Sequence, residues 1–151
     1  MHIVIGCDNA AIRLKGIIVN LLREKGIEVE DMGCSSLDDQ TAYPLIAKRV
    51  CQRIAQSGYA YRGILICGTG IGMCMCANKF KGIRAAVCHD VFSTRRSILS
   101  NNGNVLCMGE RVIGVELAKT LVSEWLSLSF VDGSSTPKVR EIGNLEAENM
   151  K

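Results

Sequence analysis

The 151-residue sequence predicts a three-layer, doubly wound α/β domain on a five-stranded, mostly parallel sheet. Short apolar runs alternate with longer segments of helical period, the order that strand–helix–strand crossovers leave in a chain. One of those runs, "RGILIC" at 62–67, is apolar almost throughout, as a central strand covered on both faces should be. The length suits one ordinary domain with a real core, and no repeat or linker divides it, so residues 1–151 read as a single unit.

The elements follow in order. "HIVIGC" is a first strand. "AIRLKGIIVNLLREKG" continues as a helix with Ile12, Ile17, Ile18, Leu21 and Leu22 on one face and Gly26 as its stop. "IEVEDMG" alternates Ile27 and Val29 with acidic residues, which gives a partly exposed second strand. "SSLDDQTAY" is a loop, and Pro44 fits the first turn of a helix through "LIAKRVCQRIAQSG". The third strand, "RGILIC", runs into the glycine-rich "CGTGIG" and a helix-forming stretch in which Met73, Cys74 and Met75 read as core packing. "GIRAAVC" and "GNVLCMG" are the last two strands, followed by the helices "VFSTRRSILSNN" and "GVELAKTLVSEWLSL". Five strands and five helices make a Rossmann-like arrangement. From Ser129 the chain turns polar, with a short helical patch.

Composition removes several function classes. Eighteen basic residues against 15 acidic ones leave a net charge of +3, and the basic residues are scattered, so no nucleic-acid footprint is present. No apolar run approaches the roughly 20 residues needed to cross a bilayer. Most of the eight cysteines lie inside apolar runs (Cys7, Cys51, Cys67, Cys88, Cys107), and no charged and apolar leader precedes the first strand. The chain therefore reads as a reduced, cytoplasmic protein and not as a disulfide scaffold. Cys74 and Cys76 are one residue apart and His2 and His89 are isolated, so no metal-ligand set is expected.

In doubly wound sheets ligands gather beyond the carboxyl ends of the strands, where the strand order reverses. Two strand ends carry chemistry: "GCDNAA" sets Asp8 and Asn9 there, and "CGTGIG" sets Cys67. If the first and third strands are neighbours, Asp8 and Cys67 share one crevice. Gly68, Gly70 and Gly72 leave the backbone bare, so successive amides can point at an oxyanion, with the helix behind adding its positive end. Thiols at helix N-termini ionise more readily than free ones, which suits Cys67 to act as base or nucleophile. Such a pocket fits proton abstraction beside a carbonyl, and equally acyl or disulfide chemistry. Blander roles stand beside these: Cys67 as apolar filler, and Asp8 as a cap on the next helix. A dinucleotide site is disfavoured, because Met73 stands where that fingerprint needs glycine.

At these residues the chain resembles a known family. "GCDNAAIRLK", "YPLIAKRV", "GILICGTGIGMCMCANKFKGIRAAVCHD" and "NNGNVLCMGERVIGVELAK" are similar to ribose-5-phosphate isomerase B and the galactose-6-phosphate isomerase subunits, thinning after Phe130. The resemblance implies an aldose–ketose isomerisation of a phosphorylated sugar through a cis-enediolate, of the ribose 5-phosphate type or a close relative, without metal or cofactor. Cys67 would be the base that moves the proton between C1 and C2. Amides of the loop Gly68, Thr69, Gly70, Ile71 and Gly72 would hold the enediolate oxygen, and Thr69 would assist proton movement on a hydroxyl. Asp8 and Tyr43 match residues that touch the sugar. Asn101 and Asn102 lie in a segment that the partner subunit supplies in that family, which implies a homodimer or homotetramer with the site at the subunit interface. The tail from about residue 129 would pack on that partner.

Departures from the family pattern point to the substrate. Asn9 replaces a histidine after the first-strand aspartate, Ser100 replaces the histidine that opens a furanose ring, and Ser134 and Ser135 replace an arginine and a histidine of the phosphate motif. Arg13, Ser134, Lys138 and Arg140, with Asn9, are the phosphate candidates. A tetrose 4-phosphate carries its phosphate on the oxygen that would close a furanose, so it needs no ring-opening acid. The segment also resembles the erythrulose 4-phosphate branch of the family. His89, Arg95 and Arg96 are the nearby groups that could open a ring in a ribose-type enzyme. Lys79 reads as fixing the loop or capping its helix. A non-catalytic binding subunit and a thiol-redox protein are the readings from other classes; retention of Cys67 speaks against the first, and the lack of a CxxC at Cys67 against the second.

Overall fold

A computed structural model describes residues 1–150. The chain runs β1 (His2–Cys7), α1 (Ile12–Glu24), β2 (Glu28–Asp31), α2 (Tyr43–Gln56), β3 (Arg62–Cys67) and α3 (Ile71–Ala77). It continues with β4 (Ala85–Val87), α4 (Val91–Leu99), β5 (Val105–Gly109), α5 (Val115–Ser127) and α6 (Thr136–Asn149). The five strands pair in the order β2-β1-β3-β5-β4, every pair parallel, so the sheet is wholly and not merely mostly parallel. The order reverses between β1 and β3, and the register sets Cys7 beside Ile66 and Cys67 beside Gly109.

Alternation along the strands builds two cores. Ile64 and Ile66 of β3, with Ile3 and Ile5 of β1 and Met108 of β5, pack under α1 and α5. Leu65 and Cys67, with Val4 and Cys107, face the opposite way under α2 and α3. Each fully buried isoleucine or leucine contributes about 1.5–3 kcal/mol by leaving water, and this pattern also decides on which face the Cys67 thiol emerges.

The structure revises several expectations. The tail forms a sixth helix of 14 residues, α6, with Pro137 in its first turn; it buries none of its side chains, so apolar periodicity gave little sign of it. On α1 the buried residues are Leu14, Lys15, Ile18, Val19 and Leu22, while Ile12, Ile17 and Leu21 are only half-buried. Lys15 enters the core because its ammonium meets Asp31 Oδ2 at 2.9 Å and donates to the carbonyl of Cys34. On α3, Met73 is buried, Cys74 half-buried and Met75 exposed, since a seven-residue helix turns only one side to the core. Asn78, and not Lys79, closes the loop after α3, donating to the carbonyl of Ala85 and accepting its amide. All eight cysteines are free thiols, and no helix among the described residues is long and apolar enough to cross a membrane.

Candidate active site

The crevice lies where β1 and β3 part. Because Cys7 pairs with Ile66, Asp8 emerges alongside Cys67. Asp8 does not cap α1, whose N-cap is Ala11 without a side-chain bond; its Oδ1 accepts the amide of Ala10 at 3.1 Å, which holds the carboxylate in a tight turn at the mouth. Asn9 reaches across to the carbonyl of Leu37.

Cys67 is 5% exposed, and the amide of Gly70 donates to its Sγ at 3.0 Å, a contact that a thiolate accepts more strongly than a thiol. This requires the chain to double back at once. Gly70 does so with φ +79°, and a Cβ there would lie 2.9 Å from the Met108 backbone, so glycine is the residue that fits. The expectation that all five loop amides face one oxyanion is corrected: Gly70 serves the thiol, and the amide of Ile71 turns back to Thr69 Oγ1 at 3.3 Å. Among the described residues, the amides of Gly68, Thr69 and Gly72 meet no protein acceptor and stay available to a substrate oxygen. With α3 only seven residues long, these amides carry more of the effect than a helix dipole does.

Tyr43, at the start of α2, closes one side: a Cβ on Gly72 would be 2.6 Å from its ring. Arg111 closes another, its guanidinium about 3.4 Å from the place a Gly68 side chain would occupy. No sequence expectation named Arg111. The strand-end rule that found Asp8 and Cys67 finds it too when applied to "CMGER" after β5. Its neighbour Glu110 accepts the amide of Leu14 and ties β5 to α1.

Other thiols near the site are differently tuned. Burial pushes Cys7 up to about 12, and Lys15 beside it offsets only part of that. Hydrogen bonding with the Cys107 thiol, aided by Asn78, brings Cys74 down to about 7. His89 is held below the ordinary histidine range by burial, against the pull of Asp90.

Several expected residues stand apart from Cys67. Ser100, Asn101 and Asn102 precede β5, at the amino end of the sheet, whereas Cys67 ends β3 at the carboxyl end. Ser100 is gripped by the guanidinium of Arg96, and Arg95 is paired with Glu124 at 2.9 Å. Arg13 is exposed on the first turn of α1. Ser134, Lys138 and Arg140 are exposed at the beginning of α6, which touches the body of the chain through Glu146 bonding the amide of Gly82. No cluster of metal-ligating side chains forms among the described residues.

Fold and crevice together define an α/β protein with a thiol, a carboxylate and free backbone amides gathered at the switch point of a parallel sheet, the place where enzymes of this architecture bind small ligands. A family model described as Ribose/Galactose Isomerase matches residues 3–142, and the chain belongs to that family and is an isomerase. It is 49% identical over 145 residues to D-erythrulose-4-phosphate isomerase 2 of Mycolicibacterium smegmatis, covering 94% of this chain and 95% of the relative. It is 47% identical over 146 residues to D-erythrulose-4-phosphate isomerase of Pectobacterium atrosepticum, covering 97% and 95%. Ribose-5-phosphate isomerase B of Clostridium thermocellum superposes with a TM-score of 0.93 at 38% identity, over 98% of this chain and 99% of that one.

Proposed function

We propose that this isomerase interconverts erythrulose 4-phosphate and erythrose 4-phosphate, with Cys67 as the base. Starting from the ketose, the Cys67 thiolate takes a proton from C1, the electron pair becomes the C1–C2 double bond, and O2 carries the charge. The amides of Gly68, Thr69 and Gly72 receive that charge. Return of that proton from the Cys67 thiol to C2, with the O1 proton passed to O2 by way of Thr69 or Asp8, completes the aldose and restores the thiolate, so no proton or electron is gained or lost overall. Tyr43 and Asn9 would line the sugar; Arg111, which lies against Gly68, and Arg13 would meet its phosphate.

The observation that carries the choice of sugar is Ser100. A hydroxyl already engaged by Arg96 is a poor acid for opening a furanose, and a tetrose 4-phosphate has no furanose to open. The names of the two relatives above agree with this reading. The ribose 5-phosphate reading keeps support from the clostridial structure, and Arg96, freed from Ser100, is the group it would call on.

The same reading assembles two copies around the site. Within one chain Asn101 and Asn102 sit at the wrong end of the sheet to reach Cys67. Helix α6 covers a cavity of about 510 Å³ with Ile142 and Leu145, both still exposed, and Ile71, Met75, Phe92 and Val112 are also exposed. A homodimer, or a pair of dimers, would cover these and bring the phosphate candidates of α6 to a neighbouring site.

Turnover of erythrulose 4-phosphate and ribose 5-phosphate, measured side by side, tests the proposal. A clear preference for the tetrose is expected, and Ser100→His should raise ribose 5-phosphate turnover relative to the tetrose. Equal or better turnover of ribose 5-phosphate by the wild type would overturn the assignment.

A further inference from the structure

His89 lies just beyond β4, two residues past Val87, where the chain turns away into α4. Its backbone neighbour still belongs to the sheet, since the amide of Cys88 donates to the carbonyl of Cys107 at 3.0 Å. One step further along β5, the amide of Gly109 points toward the space that β4 has vacated. The imidazole fills that space: Gly109 N donates to His89 Nε2 at 2.9 Å. A backbone amide can only donate, so Nε2 must be unprotonated and the neutral ring carries its proton on Nδ1.

What Gly109 does makes this bond matter. Its backbone lies directly against the catalytic loop, for a Cβ on Gly109 would be 2.4 Å from Thr69 Cα. The next two amides, of Glu110 and Arg111, donate to the carbonyls of Cys67 and Gly68 at 2.9 and 3.1 Å. The end of β5 is therefore the floor on which the thiol and its amides rest, and His89 is the side chain that pins it from the side away from β3. Resting on the reading of Cys67 as base, we infer that His89 is a positioning residue whose neutral imidazole holds the Gly109 end of β5 beneath the Thr69 turn, and that a proton on Nε2 releases it. Two N–H groups would then face each other across that bond, and the loop amides would lose their fixed aim.

The surroundings favour the neutral ring. Burial lowers the tendency of His89 to take a proton, and Asp90, the N-cap of α4, opposes this without reversing it. Just past β5, Glu110 is occupied by the amide of Leu14 and Arg111 lies over Gly68; on α4, Arg95 is taken by Glu124 of α5 and Arg96 by Ser100. On β3 the titratable neighbour is Cys67 itself. Because the folded state holds this proton less tightly than the unfolded chain, the bond is intact above the ordinary histidine range and fails as pH falls through the lowered value.

The test is the pH dependence of kcat/KM on the preferred sugar phosphate for the wild type, His89→Gln and His89→Leu, with circular dichroism to establish that each is folded. Protonation of the base alone gives an acid limb of slope one. The wild type should steepen to slope two at low pH as His89 also takes a proton. Glutamine can accept the Gly109 amide through its carbonyl and does not titrate, so His89→Gln should keep slope one and most of the turnover. Leucine cannot accept, and kcat should fall roughly 10- to 100-fold at every pH with KM little changed. Parallel acid limbs in wild type and His89→Gln, or wild-type kcat in His89→Leu, would overturn the inference. Cys67→Ala, assayed alongside, reports on the base by itself, so a failure of that assignment is separable from a failure of the His89 role.

Discussion

Lys15→Met removes an ammonium that is almost wholly buried and replaces it with an apolar chain of similar length. The loss has two parts. The carbonyl of Cys34 keeps only a weak thiol donor, Cys7 Sγ at 3.5 Å, and a buried acceptor stripped of its main partner costs about 1–3 kcal/mol. Asp31 is 35% exposed, so solvent screens much of its attraction to Lys15, and that ion pair adds about 0–1 kcal/mol. The expected destabilisation is about 1–4 kcal/mol, which for a chain of this size is a fall in Tm of roughly 2–16 °C. Urea denaturation followed by circular dichroism would measure it, with the slope of the transition checked for equality between the two proteins. Asp31→Asn should cost less than about 1 kcal/mol, since it leaves the ammonium on its carbonyl. A Lys15→Met protein as stable as wild type would refute the reasoning, because it would mean that desolvating the ammonium costs as much as its two contacts return.

Two further outcomes follow from the site. Cys67→Ala should lower kcat by roughly 10²–10⁴-fold, the range for loss of a positioned base, while a non-reacting sugar phosphate still binds; near-normal turnover would remove the thiol from the mechanism. Alkylation read by mass spectrometry should mark Cys74 far ahead of Cys7 and Cys51, because a thiol at about 7 is roughly half ionised at neutral pH and thiols pushed up to about 12 by burial are not. Its rate should rise as pH climbs through 7 and then level off, and similar labelling of all three would contradict the assignment.

What the sequence revealed followed the range of the physics behind each residue. Cys67 and Asp8 were legible because a strand end at a switch point is a local pattern with a general consequence. The position of Tyr43 over Gly72 was not, since it depends on how α2 crosses the sheet, and only family resemblance marked it. Lys15 was hidden because a lysine on an amphipathic helix is ordinarily solvated, and its partners Asp31 and Cys34 come from the end of β2 and the loop after it. Arg111 obeys the same strand-end rule at the last strand, but its closeness to Gly68 depends on the turn that follows β5, which the sequence does not specify. Which of the loop amides face outward depends on the left-handed turn at Gly70, and a run of alternating glycines does not specify it.

The strand order also governs when the enzyme comes into being. Asp8 sits just past the first strand, Cys67 at the end of the third and Arg111 just past the fifth, and each neighbouring pair in the crevice is joined by a crossover of many residues. Parallel pairings of that span are slow to close, because loop entropy is lost before any contact repays it. During synthesis at about 5–20 residues per second, a chain that has already exposed its thiol waits several seconds for the strand that will shelter it. A ribosome-bound fragment ending before Val105 would display Cys67 on an open sheet edge, reactive and without its floor, and the finished crevice arrives only with the last strand.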